Sequence, residues 1–164
     1  MRSFATMARA PGGILDLVHP PALVGLWRTD PLEQGAMEAA AIGFLPDGVG
    51  WHELAKPFSS EIQRFTWQVS APGQLLIEFT RYLLVRTDRI AGRIGATEVL
   101  DDHEPLISRL STTFEVMQGR GVFGSSETIL KVHDWIGADQ EFAFDRKRVT
   151  PEDDPSHAAA PYPN

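Results

Sequence analysis

Phe44-Leu45-Pro46-Asp47-Gly48-Val49-Gly50 is the stretch whose reading decides the fold. Apolar runs, Ala39 to Leu45 and Val49 to Leu54, stand on either side of Asp47-Gly48. Asp-Gly accepts the positive φ angles of a tight hairpin turn, so the segment reads as two antiparallel strands. The same punctuation recurs outward from it. Ile62 to Val69 and Leu75 to Val85 flank Ala71-Pro72-Gly73-Gln74, and Ser108 to Met117 and Ser126 to His133 flank a glycine-rich connection. Glu141 to Arg148 is the last run and Leu23 to Arg28 the first. About eight strands at hairpin spacing make an all-β sandwich or barrel, and eight suffice to close a barrel filled by side chains or one small ligand.

Helical signals are confined to two places. Asp30-Pro31-Leu32-Glu33 has an N-cap, a Pro at the first helical position and a capping-box Glu, and Asp101-Asp102-His103-Glu104-Pro105 can open a turn. Gly35 and the β-branched Thr112 and Thr113 limit both, so at most short helical turns are expected. Residues 1–20, broken by Pro11, Gly12, Gly13, Pro20 and Pro21, read as an irregular leader, and residues 21–149 as the barrel. The tail from Pro151 is rich in Pro and small or polar residues. Residues 150–164 are therefore expected to be disordered.

Composition narrows the function. The chain has 164 residues, 43% of them hydrophobic, enough for one domain with a core. A net charge of −7 argues against a nucleic-acid partner, and Arg146-Lys147-Arg148 reads as a charged strand end. Cysteine is absent, which excludes disulfides, thiolate catalysis and Cys-ligated zinc and fits a cytoplasmic address. No stretch approaches the ~20 apolar residues of a membrane helix. A secretory signal needs an apolar region of roughly 7–15 residues, which Pro11-Gly12-Gly13 interrupts.

Cofactor motifs are weak. Gly119-x-Gly121-x-x-Gly124 matches a dinucleotide pattern, yet Ser126 to Leu130 after it reads as strand, so it is a hairpin loop that can lie at the barrel mouth. The histidines are scattered: His52-Glu53 and His133-Asp134 sit on strands, where neighbours point to opposite faces. Asp101-Asp102-His103-Glu104 lacks the oxygen spacing of a calcium loop. No metal and no cofactor are expected.

Leu23-Val24-Gly25-Leu26-Trp27-Arg28 resembles the Gly-x-Trp first strand of lipocalin-like proteins, and Phe44 to Gly50, Trp67 and Leu75-Leu76-Ile77 are similar to small bacterial lipocalin-like domains. The resemblance covers roughly residues 22–148. It implies an antiparallel up-and-down barrel of about eight strands, with Trp27 closing one end against Arg146 or Arg148 of the last strand. Thr87-Asp88-Arg89 departs from the family pattern, carrying Arg where Tyr is usual.

The candidate chemistry lies on Leu75 to Leu84, apolar on both faces with charges embedded, as in a strand covered from outside or a homodimer interface. Glu78 and Tyr82, four residues apart, are expected to share a face. Glu78 in a dry cavity gains a raised pKa and becomes an acid or base, with Tyr82 donating to a substrate carbonyl; on the outer face Glu78 merely pairs with an Arg. Trp51, Phe65, Trp67, Phe79, Arg81 and Phe114 are the ligand-lining candidates, the aromatics being equally the content of an ordinary core. The expected function is a cofactor-independent cyclase or isomerase of a hydrophobic small molecule, the alternative a non-catalytic carrier or sensor.

Overall fold

A computed structural model describes residues 20–33, 35, 37–90 and 93–163. The described residues form nine strands: β1 (Gly25–Arg28), β2 (Ala39–Phe44), β3 (Val49–Lys56), β4 (Ser59–Ala71), β5 (Gln74–Ile90), β6 (Arg93–His103), β7 (Arg109–Arg120), β8 (Ser126–Trp135) and β9 (Ala138–Arg146). All neighbouring pairs are antiparallel, and eight strands close a ring in which β9 returns to β1 and β4 meets β5. The all-β, up-and-down ring is as expected from the hairpin punctuation. No helix of the described residues is long and apolar enough to cross a membrane.

The ninth strand follows from the length of β5, which spans 17 residues. Its first part, Gln74 to Glu78, pairs with β7, and its second part, Tyr82 to Ile90, pairs with β6. The sequence signals a turn or short helix at Asp101-Asp102-His103, and the segment is instead the end of β6. Asp102 gives a bidentate partner to Arg81 of β5, at 2.9 and 2.7 Å, and this cross-strand pairing outweighs the low strand propensity of acidic residues.

The turns carry the signals that predicted them. Gly48 has φ 86°, Leu45 N–H donates to Val49 O at 2.9 Å, and the Asp47 carboxylate accepts from Val49 N–H at 3.1 Å. Gly121 N–H donates to Ser125 O at 2.9 Å, so the Gly119–Gly124 segment is a hairpin connection between β7 and β8. Its tip also meets the β1–β2 connection, where Val122 N–H donates to Pro31 O at 3.0 Å.

Two apolar cores lie on opposite faces of the sheet. Inside the ring, Trp27, Ile42, Phe44, Phe65, Trp67, Leu75, Ile77, Phe79, Trp135 and Phe142 are buried together. Gly25, with φ 149°, lets β1 come this close: a Cβ there would stand 2.8 Å from both Arg146 O and the Phe144 ring. Trp27 then packs edge-on against Phe144, 5.0 Å between centroids, and donates its indole N–H to Leu23 O. The arginine partner implied by the resemblance is replaced by this ring. Arg146 is instead held by Asp145 and Asp153, at 2.8 and 2.6 Å.

Outside the ring, Leu26, Trp51, Ile62, Leu83 and Val85 form the second core, covered by Ala96 of β6 and by Val149 and Ala160. The segment expected to be disordered therefore packs on the barrel wall. A 3-10 turn at Pro151–Asp153 is capped by Thr150, and beyond it Asp154 and Ser156 are fully buried against Arg64. Arg64 Nε reaches Asp154 at 2.7 Å, its Nη2 bonds Ser156 Oγ at 2.9 Å and Ala160 O at 2.5 Å, and the Tyr162 ring covers the guanidinium at 3.9 Å. A tail poor in apolar residues is ordered here because one buried arginine supplies the polar partner that its own composition does not offer. Residues 1–19 lie outside the described set.

Candidate functional site

Strand register places polar residues in the ring's interior. Ile42 faces His52, and His52 faces Gln63, which in turn faces Tyr82, so all four share the inward face. His52 is buried, with Trp135 and Phe142 rings 5.2 and 6.3 Å from its own. Burial lowers its pKa to about 4, with the Gln140 side chain and the Glu61 charge opposing the shift, so the imidazole is neutral at pH 7. Four buried polar atoms in this layer lie beyond full hydrogen-bonding distance of any protein partner: His52 Nε2, Gln63 Oε1, Trp135 Nε1 and Gln140 Oε1, with the Gln140 side chain still near enough to His52 to raise its pKa. Each such group costs roughly 1–3 kcal/mol when left unpaired, so a concentration of them marks a place where a bound molecule can complete the bonding.

An open cleft of about 530 Å³ reaches this layer at Gln140. Its floor contains Ala40, Leu54 and Gln140, and Leu54 is the next inward position along β3 from His52. Leu32 and Ala138 add apolar wall, and Glu33, Glu38, Asp139 and Glu141 carry its carboxylates. The β8–β9 turn that forms one wall is strained. Asp134 and Ile136 have φ of 48° and 49°, left-handed values that β-branched Ile tolerates poorly. That conformation breaks the β8–β9 register between Val132 and Trp135 and carries the Trp135 ring into the barrel. Asp139 Oδ1 steadies the turn by accepting from Asp134 N–H at 2.9 Å.

The residues singled out from sequence fall in three places. Phe65, Trp67 and Phe79 are buried in the interior, with Phe114 packed against them. Trp51 is also fully buried, but in the outer core, because its register partners Gly43 and Arg64 face away from the ring. Arg81 lies on that outer side as well, paired with Asp102. Trp67 donates its indole to Leu45 O and Val49 O, at 3.2 and 3.1 Å, and so clamps the Asp47-Gly48 hairpin.

Glu78 and Tyr82 do not share a face. A bulge in β5 pairs Arg64 with Arg81 and the next residue, Phe65, with Phe79, leaving Thr80 as the extra residue. One inserted residue reverses the inward–outward alternation. Glu78 thus faces out, exposed, and forms an ion pair with Arg109 of β7. Tyr82 faces in, half-buried and stacked on His103 at 4.6 Å, with burial and then the Glu61 charge raising its pKa. The structure does not bring the two together.

Gln63, Trp135 and Gln140 carry no functional motif in the sequence, and His52 stands there only as one of several scattered histidines. One signal was available: His52 sits two residues from Gly50 and Leu54 in an alternating run, which puts it on the face of apolar residues. Nothing in the sequence marks Gln140 or Trp135, since the broken register at the β8–β9 turn decides where they point. His133, by contrast, is on the outer surface, between Glu115 at 3.0 Å and Asp139 at 3.2 Å. Those two carboxylates, Glu115 first, raise its pKa. No group of three or more metal-ligating side chains with suitable geometry occurs among the described residues. No family model, curated protein or solved structure matches the chain.

Proposed function

We propose that this chain is a lipocalin-like barrel that binds a small, partly apolar molecule at the His52 end, as a carrier or sensor. The observation that carries the reading is the layer of unpartnered buried polar atoms reached by the 530 Å³ cleft. Its volume suits a small molecule, and its few convergent polar groups on an apolar floor are what ligand sites present. Binding rather than proton transfer is the favoured activity, because an imidazole with a pKa of about 4 is a weak base at neutral pH. What His52 and Trp135 offer is hydrogen bonding from fixed positions.

A second reading keeps the cofactor-independent isomerase or cyclase, with a changed site. A neutral imidazole beside an unpaired indole N–H can polarise a substrate carbonyl without itself ionising. Turnover would then be lost in His52→Phe and retained in Glu78→Gln.

Native mass spectrometry of the chain purified from its own producer tests the proposal. A retained small molecule that is lost in Gln140→Leu is the expected result. A retained molecule unaffected by both Gln140→Leu and His52→Phe would place binding elsewhere and overturn it.

A further inference from the structure

We infer that the ligand of the His52-end cleft is a small organic cation, an amine or ammonium attached to an apolar body. The inference rests on the binding reading above and adds the chemical class. Three observations point the same way.

The first is the balance of the orphaned atoms. Two of the four, Gln63 Oε1 and Gln140 Oε1, are pure acceptors, and Trp135 Nε1 is the one obligate donor. His52 Nε2 accepts in one tautomer of the neutral ring. His52 is only 7% exposed and lies against Gln140, which forms part of the cleft floor. The layer therefore wants N–H donors. The second is the charge around the opening: Glu33, Glu38, Asp139 and Glu141 line the cleft, and among the described residues no Lys or Arg does so. Lys131 lies 3.7 Å from Glu141 and 4.0 Å from Asp139, and His133 also holds Asp139, so part of the acidity is met from outside. Glu33 and Glu38 stand on the other wall, where Lys56, bonded to Glu61, is near enough to Glu38 for that charge to help raise the Lys56 pKa. The third is the aromatic layer beneath. Trp135 packs on His52, Phe65 and Phe79, and the faces of such rings attract a cation.

A carboxylate or phosphate ligand would meet an acidic rim and two orphaned acceptors. A neutral hydrocarbon would leave the orphaned atoms unpaired. An amine satisfies the acceptors and lays its apolar body on Leu32, Ala40, Leu54 and Ala138.

Three probes with one apolar body separate these cases: 2-phenylethylamine, 2-phenylethanol and phenylacetate, titrated by calorimetry into the full chain. In parallel, the indole N–H signal of Trp135 is followed by NMR, assigned with Trp135→Phe. The expected result is that the amine binds at least about fivefold more tightly than the alcohol and moves the Trp135 signal, with phenylacetate weakest. In Glu38→Gln/Glu141→Gln the preference for amine over alcohol falls below about twofold. Unchanged indole signals of Trp27, Trp51 and Trp67 verify that this variant is folded. Equal or tighter binding of the alcohol or phenylacetate, with the Trp135 signal moving, would overturn the cation assignment and leave the binding reading standing. Binding of none of the three, or binding that leaves Trp135 unmoved, would overturn both.

Discussion

His52 gives the interior a pH dependence that can be measured. Its folded pKa, about 4, lies below its ordinary value of 6.5, because burial disfavours the charged ring. The unfolded chain therefore binds the proton first as pH falls. Stability from this group is complete above pH 6.5, declines between 6.5 and 4, and is flat below. The full loss is about 3 kcal/mol. Denaturant unfolding from pH 7 to pH 4 should show a decline larger by about that amount in the natural chain than in His52→Phe, whose ring fits against Trp135 and Phe142. Equal slopes in the two chains would show that His52 is not held neutral. Glycine acts at the same scale: a Cβ at Gly50 would overlap the Phe65 ring and Gly43 O, so the close approach of β2, β3 and β4 depends on it.

At the scale of the element, the bulge at Thr80 matters more than any side chain on β5. Both halves of the strand alternate correctly, and the inserted residue exchanges their faces. Glu78 is consequently an outer residue with an exposed partner, and exposed pairs contribute little. Glu78→Gln should change unfolding stability by less than about 1 kcal/mol and leave ligand binding unaltered, read by denaturation and calorimetry. Perfect alternation without the bulge would put Glu78 and Tyr82 on one side, which is how the sequence reads. A bulge has no reliable sequence signature here, since Phe79-Thr80-Arg81 is as good a strand as its neighbours. The β8–β9 turn behaves alike: its left-handed Asp134 and Ile136 are costly, and the surrounding ladder and Asp139 hold them there.

For the whole molecule, the barrel is closed twice, by its own ring and by the C-terminal segment over the outer core. Arg64 links the two. Arg64→Ala leaves the buried Asp154 carboxylate without its cation, and a broken buried pair costs roughly 3–5 kcal/mol. Tyr162→Phe removes one hydroxyl bond to Asp154, 2.8 Å long, and should cost about 1–2 kcal/mol. Thermal or denaturant unfolding measures both. A loss under about 1 kcal/mol for Arg64→Ala would mean that residues 150–163 contribute little to the folded state.

The sequence by itself determined the all-β class and the hairpins that build the ring. Those rest on local facts: Asp47-Gly48 turns because of its own backbone freedom, and Phe65-Thr66-Trp67 alternates because of the pleat. The tertiary structure alone decided which face of each strand is inside, that the tail is the outer wall, and that His52, Gln63, Trp135 and Gln140 meet. Each of these depends on register, and a single bulge or strained turn shifts register by one residue without leaving a mark in composition or periodicity.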